Sequence, residues 1–317
     1  MKKRLAAAAC VCAFFALALC NRQVIQSAGY ALQLCAGLIL PTLFPFFVVS
    51  ILLNRLGIPA WLGSLLSPSL GKLFRVSGAG ISALLIGLTG GYPMGAAYIA
   101  DMLDSGHIDS DEAEHLLCFC NNSGPSFILS AIGTGVFGSA KVGLMLYLVH
   151  ICAALITGLL IRRRIKPRPE SAVHIESMSF SAAFPAAVRQ AVVSALNVCG
   201  FVVCFTVLAG ILDAGGLISS LCGFLSSKTG LELHWCRALF MGFLELGSGA
   251  GAMQGLSPSP LNLALAAAML GWGGLSVHFQ TMALLSESKA KGALHTAGRL
   301  MSASISAVLA YFAAFLL

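Results

Sequence analysis

Polar and helix-breaking residues interrupt an apolar run in the segment FCNNSGPSFI, residues 119–128. Pro125 lacks an amide hydrogen and disfavours helical geometry at Gly124, so we expect a helix to end near Asn121 and to restart at Pro125. The side-chain amides of Asn121 and Asn122 can hold a carboxylate, a ring nitrogen or the backbone of another segment. Interrupted backbone is tolerated in lipid only where protein buries it or a wet cavity lies beside it. The segment therefore predicts a polar site inside the membrane.

A second interruption, GGYPMG at residues 90–95, lies earlier in another apolar run. Two short apolar limbs joined by this Gly/Pro tip predict a re-entrant hairpin, which enters and leaves the membrane on one side. Tyr92 beside Pro93 can stack on a planar ring of a ligand, or it can fill a packing hole at the tip. Paired interruptions of this kind are typical of the substrate site of a secondary transporter.

Glu245 is a carboxylate embedded in the apolar stretch FLELGSGAG, residues 243–251. A charge at the centre of a membrane helix costs about 2.5–3.5 kcal/mol on insertion scales, so it needs a partner or a role. One interpretation is a group that couples transport to a proton or cation, or that donates to a substrate when protonated. The alternative is a salt bridge with Arg237, or a cap for an amide of the opposing hairpin.

His278 and Gln280 follow a glycine-rich interruption in GWGGLSVHFQ, residues 271–280. Histidine titrates near neutral pH and binds an acid when protonated, so His278 is a candidate ligand, with a packing role as the alternative. His150 lies in an uninterrupted apolar run, where we expect it to serve packing only.

Helix limbs are expected to begin beside these interruptions, at Pro93, Pro125, Ser248 and Ser276. Proline is favoured at the first helical position, and each helix start offers free amides and about half a positive charge. Starts that meet near the midplane suit an anion, particularly a carboxylate, whereas the alternative is that the breaks only relieve packing strain. The predicted substrate-binding residues are Tyr92, Pro93, Asn121, Asn122, Ser123, Ser126, Glu245, Ser248, Ser276, His278 and Gln280.

The composition is that of an integral membrane protein. The 317 residues are 58% hydrophobic and 10% charged, with a mean hydropathy of +0.89. The net charge of +7 comes from basic residues clustered at segment ends. This distribution follows the positive-inside rule of membrane proteins and does not indicate nucleic-acid binding. No phosphate-binding loop, nucleophile elbow or metal-ligand spacing is present, so we expect neither an enzyme nor a cofactor or metal.

The chain divides into four parts. Residues 1–22 form an N-terminal transmembrane anchor, with a cleaved signal peptide as the alternative, and residues 165–182 form a cytoplasmic basic linker. Residues 23–164 and 183–317 are two repeats, each with a kinked helix, an interfacial helix, a hairpin, a broken helix and a last span. Three crossings in each half would invert one half relative to the other. The predicted fold is an all-α polytopic membrane protein with inverted repeats and a cytoplasmic N-terminus.

The motifs GGYPMGAAYIADML, AEHLLCFCNNSGPSFI, FLELGSGAGAM and GWGGLSVHFQ, taken in order, resemble the YlbJ (SpoVV) family of sporulation integral membrane proteins. The resemblance covers roughly residues 25–310 and extends to the nucleoside-recognition, or gate-domain, superfamily related to concentrative nucleoside transporters. It implies a protein of the outer forespore membrane that moves dipicolinic acid from mother cell toward forespore. The nucleoside transporters place ligand-binding groups at positions that match residues 92–95, 121–126, 245–248 and 276–280. The first tip here lacks the Gln/Glu with which those transporters contact the base and sodium. This departure from their pattern argues against nucleoside transport and sodium coupling.

Three functions follow as expectations. The first is a permease for a small anionic metabolite, with dipicolinic acid as the leading candidate. The second is an ion- or proton-coupled symporter for a nucleoside or another small metabolite, coupled through Glu245. The third is a sporulation membrane scaffold that transports nothing. The expected partners are the small-molecule anion and the lipid bilayer, without nucleic acid, and the oligomeric state is left open.

Overall fold

Helices account for all the regular secondary structure in residues 2–161, 178–286, 288, 292 and 294–317, which the computed structural model describes. Most of the predicted linker lies outside these residues, as does the basic cluster at positions 162–168. The predicted all-α fold is confirmed over the described part of the chain.

The first half contains nine α-helices. They are α1 (Lys2–Leu19), α2 (Asn21–Leu34), α3 (Leu40–Arg55), α4 (Ile58–Leu66), α5 (Lys72–Phe74), α6 (Gly78–Gly90), α7 (Met94–Asp104), α8 (Ser110–Leu117) and α9 (Ala140–Leu160). Three π-helical segments join or extend them, at Cys35–Ile39, Ser67–Gly71 and Phe127–Val136.

The second half repeats the order of element types. It contains α10 (Phe180–Ala214), α11 (Leu217–Thr229), α12 (Leu233–Leu244), α13 (Leu246–Ala252), α14 (Pro260–Trp272), α15 (Gly274–Ser286) and α16 (His295–Ala313), followed by a 3-10 turn at Ala314–Leu316. Thus α6–α7 and α12–α13 are the two predicted hairpins, and α14–α15 is a broken helix. The opposite orientation of the two halves, the domain boundaries and the cytoplasmic N-terminus remain predictions.

Two long helices pack side by side. The segments α2 and α3 form one continuous span of 35 residues, Asn21–Arg55. The π-helical turn at Cys35–Ile39 adjusts the hydrogen-bond ladder just before Pro41 and Pro45, which cannot donate to it. The partner α10 is equally long and packs against α2 and α3, presenting a buried row of small residues, Ala183, Ala187, Ala191 and Ala195.

Five helical segments of the described residues are long and apolar enough to cross a membrane, or up to six if the bent pair α4–α5 and α6 is one span. The five are Asn21–Arg55, Ala140–Leu160, Phe180–Ala214, Pro260–Ser286 and His295–Leu316. The first broken helix, which we expected to be a crossing, is absent from this set because its apolar part, Phe127–Val136, is short. A polytopic membrane protein is confirmed, with fewer clear spans than the repeat arithmetic predicted.

Glycine positions bring the later helices close together. A Cβ atom at Gly271 of α14 would lie 2.5 Å from Ala303 Cα of α16. A Cβ atom at Gly298 of α16 would lie 2.5 Å from Cys118 Cα, just after α8. Any side chain at either glycine would push the backbones apart, so α16 lies directly against both broken helices.

Candidate functional site

Four interruptions of the helices converge in the interior. We name them tip 1 (residues 91–93, between α6 and α7), break 1 (residues 118–124, between α8 and the helix that resumes at Pro125), tip 2 (Glu245, between α12 and α13) and break 2 (Gly273, between α14 and α15). The predicted helix end and the restart at Pro125 are therefore correct. In the second half, α13 starts at Leu246 and α15 at Gly274, each two residues before the serine that we expected to open the limb.

Tip 1 brings its backbone into direct contact with the backbone of break 1. A Cβ atom at Gly91 would lie 2.6 Å from the amide nitrogen of Gly124, and one at Gly124 would lie 3.1 Å from Gly91 Cα. Gly91 also has a φ of +75°, which residues with a side chain rarely adopt. Glycine is required at both positions for the hairpin to seat on the broken helix.

Tip 2 touches break 2 in the same manner. A Cβ atom at Gly274 would lie 3.0 Å from the amide nitrogen of Leu246 and 3.2 Å from Glu245 Cα. Gly273 and Gly274 have φ values of +87° and +83°. Each hairpin tip thus meets the broken helix of its own half.

The two halves are joined at tip 1. The Tyr92 hydroxyl donates to the carbonyl oxygen of Leu270 in α14 at 3.2 Å, and the Ser123 hydroxyl donates to the same oxygen at 3.4 Å. Tyr92 is 9% exposed, so its hydroxyl needs such an acceptor. Tyr92 therefore bridges tip 1 to α14 of the second half, and its contact with a ligand stays a prediction.

Glu245 caps the helix that follows it. Its two carboxylate oxygens accept hydrogen bonds from the amides of Gly247, at 2.8 Å, and Ser248, at 2.5 Å, and the residue is 2% exposed. The capped amides belong to its own hairpin and not to the opposing one. Arg237 is not its partner either, because the Arg237 guanidinium pairs with Asp213 at 2.9 and 2.6 Å. The structural role of Glu245 is therefore neither a salt bridge with Arg237 nor a cap for the opposing hairpin, but a cap for its own hairpin.

The asparagines of break 1 are held by protein. Asn121 Nδ2 donates to Thr281 Oγ1 of α15 at 2.8 Å, and Asn122 Nδ2 donates to the Phe119 carbonyl at 2.7 Å. The backbone amide of Ser123 donates to His150 Nε2 at 3.1 Å. His150, expected to serve packing only, therefore supplies an acceptor to the interrupted backbone.

Arg299 is a central residue that the sequence analysis did not select. It is fully buried, and its guanidinium donates to the Asn121 carbonyl at 2.6 Å, to Asn122 Oδ1 at 3.2 Å and to the Gly271 carbonyl. Its charge also lies over the Tyr92 ring, 5.5 Å from the centroid. We counted Arg299 among the basic residues at a membrane edge, although its place inside an apolar helix was a signal of a buried role.

His278 belongs to an aromatic cluster behind break 2. Its ring lies 4.1 Å from Trp272 and 5.0 Å from His295, centroid to centroid. The Trp272 indole donates to the Phe243 carbonyl at 3.0 Å, which ties this cluster to the hairpin of the second half. His278 is 3% exposed and is not among the residues that line the central cavity described next. The packing interpretation fits its surroundings better than the ligand interpretation.

A small cavity lies beside the converging interruptions. Its volume is about 50 Å³, and its wall includes residues from both tips, break 1, α15, α10 and the π-helical turn before α3. The polar side chains in the wall are Tyr92, Ser123, Glu245, Ser276 and Gln280, all of them predicted site residues. The other predicted residues, Pro93, Asn121, Asn122, Ser126, Ser248 and His278, lie outside the wall and support it.

The cavity is smaller than a ring-sized metabolite. One water needs about 10–15 Å³ of such space, so the cavity holds a few waters. Its wall carries the carboxylate of Glu245 and, within the described residues, no cationic side chain. Gln280 is 5% exposed and its Oε1 atom has no hydrogen-bond partner, which leaves an acceptor for a ligand or water. No group of three or more metal-binding side chains occurs in the part of the chain that the structure describes.

This chain is similar in sequence to the "Sporulation integral membrane protein YlbJ" of Bacillus subtilis (strain 168). The two sequences are 31% identical over 277 residues, which cover 79% of this chain and 67% of the relative. No family model and no solved structure matches the chain. The resemblance to YlbJ is confirmed, whereas the wider link to nucleoside-recognition proteins remains a prediction. With this identity and coverage, the chain belongs to the YlbJ family of sporulation integral membrane proteins.

Proposed function

We propose that this chain is a permease of sporulating cells that moves a small anionic metabolite across a membrane, with dipicolinic acid as the leading candidate. The observation that carries the proposal is the convergence of two hairpin tips and two broken helices on one cavity. Secondary transporters with discontinuous helices bind their substrates at such a place, near the middle of the bilayer. The membrane role in sporulation rests on family membership, and the transport role rests on this geometry.

The helix starts around the cavity favour an anion. The limbs begin at Met94, Pro125, Leu246 and Gly274, each directly after an interruption. Free amides and the positive end of the helix dipole attract carboxylates. Dipicolinate enters through the family resemblance, and its two carboxylates on a planar ring suit amides at the limb starts other than α13, where Glu245 already accepts from Gly247 and Ser248.

Glu245 sets a condition on this function. Its carboxylate lies in the wall of the cavity, and a dianion beside a second uncompensated negative charge is strongly disfavoured in a desolvated site. We therefore propose that Glu245 takes up a proton when the anion binds. The protonated carboxyl group can donate a hydrogen bond to the substrate, and the anion then travels with a proton.

The size of the cavity adds a second condition. A space of about 50 Å³ does not admit an aromatic diacid, so the cavity must widen before it takes up the substrate. Substrate entry requires the second hairpin, α12–α13, to move away from the rest of the cavity wall. This is the alternating-access motion expected of transporters with discontinuous helices.

Binding is tested with the purified full chain in detergent. Because a ligand that binds only the folded state stabilises it by about 2.7 kcal/mol at one hundred times its dissociation constant, we expect dipicolinate to raise the melting temperature. Pyridine, which lacks the carboxylates, should not. The dipicolinate effect should strengthen at lower pH, where Glu245 gains its proton. A rise with uridine and none with dipicolinate would favour the nucleoside symporter, and no rise with any solute would favour the scaffold.

Transport is tested by uptake of labelled dipicolinate into proteoliposomes. We expect Glu245→Gln and Asn122→Ala to reduce uptake at least tenfold, because the first removes the proton site and the second loosens break 1. The matched controls are Glu232→Gln, an exposed acid before α12, and Asn262→Ala, which removes an amide bonded to the Ser257 carbonyl at 2.9 Å. Normal uptake by both site variants would contradict the assignment of this cavity to transport.

A further inference from the structure

The guanidinium of Arg299 connects the two broken helices. One nitrogen donates to the Asn121 carbonyl at 2.6 Å and to Asn122 Oδ1 at 3.2 Å, both in break 1. The other donates to the Gly271 carbonyl, in the last turn of α14 beside break 2. One buried cation thus joins oxygen atoms from both halves of the chain.

The charge of Arg299 has no acidic partner. The structure pairs Arg237 with Asp213, but it records no carboxylate against Arg299 among the residues it describes. Two carbonyl oxygens, one amide oxygen and the face of the Tyr92 ring meet the charge instead. Burying a cation without a counter-ion is costly, so neutral oxygens must replace its hydration.

The oxygen atoms around Arg299 are of the type that binds a metal cation. In transporters with discontinuous helices, unwound carbonyls and the C-terminal ends of half-helices coordinate a sodium ion or a proton. Gly271 lies at the C-terminal end of α14, and Asn121 follows the end of α8. Both ends carry partial negative charge, and both face the same guanidinium.

We propose that Arg299 is a built-in cation, which takes the place of a coupling metal ion among the carbonyl and amide oxygens of the two broken helices. The protein then holds break 1 and break 2 together without sodium. The inference concerns the assembly of the core and does not depend on which solute is transported. It gives Arg299 of α16 a role in the core, whereas we had expected this basic residue to lie at a membrane edge.

The first test compares the melting temperature of the purified full chain in sodium, potassium and choline buffers, with no solute added. We expect the same melting temperature in all three for the unmodified protein. Arg299→Ala should melt roughly 5–15 °C lower, because it leaves two carbonyls and an amide oxygen without their donor. Guanidinium at millimolar concentration should restore part of this loss, and urea at the same concentration should not.

A specific stabilisation of the unmodified protein by sodium would overturn the proposal. So would an unchanged melting temperature in Arg299→Ala, or an equal response of that variant to guanidinium and urea. The control is Arg237→Ala, which removes a cation of 45% side-chain exposure from its pair with Asp213 and should not respond to guanidinium.

A second pair of variants decides the matter if Arg299→Ala does not fold. Arg299→Lys keeps the charge, and Arg299→Gln keeps a polar group of similar reach without it. We expect Arg299→Lys to stay insensitive to sodium and to melt above Arg299→Gln. Equal loss in the two variants would show that the positive charge is not what the site requires, and the proposal would fail.

Discussion

Each hairpin tip must provide hydrogen-bond acceptors for the first backbone amides of the helix that follows it, and the two tips do so by different means. Each begins a helix inside the protein, where the first amides have no partner within the helix. At tip 2, Glu245 accepts hydrogen bonds from two of these amides and caps α13 from within its own segment. At tip 1, the α7 helix begins after Pro93, whose side chain makes no capping hydrogen bond.

Within tip 1, the first amide of α7, that of Met94, donates to the Gly91 carbonyl at 2.8 Å, and the tip is also held from outside. Gly91 seats it on Gly124, and the Tyr92 hydroxyl reaches the Leu270 carbonyl in the other half. A self-capped tip keeps its geometry when it moves away from its neighbours, whereas an externally held tip depends on them. We infer that tip 2 is the hairpin better suited to move, with a charge that can change by one proton, and that tip 1 is the fixed side of the cavity.

The largest expected effect is that of Gly91→Ala. The new methyl group would meet the backbone of Gly124 at 2.6–2.7 Å, and backbone atoms cannot give way as a flexible side chain can. We expect little folded protein, measured as the monodisperse fraction after extraction in detergent. Gly106→Ala is the control, because its φ is also +75° but no atom lies within 4 Å of the new Cβ. It should cost only about 1–2 kcal/mol. If Gly91→Ala and Gly106→Ala lost the same fraction of folded protein, the close contact with Gly124 would not be the cause of the loss.

Glu245→Ala should have the next largest effect. It leaves the buried amides of Gly247 and Ser248 without acceptors, at about 1–3 kcal/mol for each. Glu245→Gln keeps one acceptor oxygen and should lie between Glu245→Ala and the unmodified protein in thermal stability. If Glu245→Ala and Glu245→Gln both melted at the temperature of the unmodified protein, the proposal that Glu245 caps tip 2 would be refuted.

The smallest effect is expected for Tyr92→Phe. The substitution removes the hydrogen bond to Leu270 and keeps the ring beneath Arg299, so we expect a loss of about 1 kcal/mol. The measurement is thermal unfolding of the purified chain. Tyr92→Leu, which removes the ring as well, should lose more. If Tyr92→Leu were as stable as Tyr92→Phe, the ring would contribute nothing to tip 1 through its contact with the cation.

The sequence predicted the interruptions well because their causes are local. Pro125 and Gly91 specify their backbone geometry within a few residues, so the end of α8 and the hairpin tip were accessible from residue type alone. The start of α13 was misplaced because Glu245 itself is the cap, and glutamate is not among the residues favoured at that position.

The role of Arg299 was not accessible from local pattern. Its acceptor in Asn121 is separated from it by 178 positions in the chain, and only the folded structure brings them together. The same holds for His150 and its bond to Ser123, 27 positions away. Composition and periodicity identify which segments enter a membrane, but they do not say which buried polar groups will face one another.

The backbone contact between Gly91 and Gly124 has a mechanical consequence. With no side chain between Gly91 and Gly124, no rotamer change can open a gap at that contact, and neither backbone can move toward the other. We infer that the first hairpin and its broken helix form one packed block. Under the proposed function, the path for the solute opens along the seam between this block and the second hairpin, on the side where Glu245 lies.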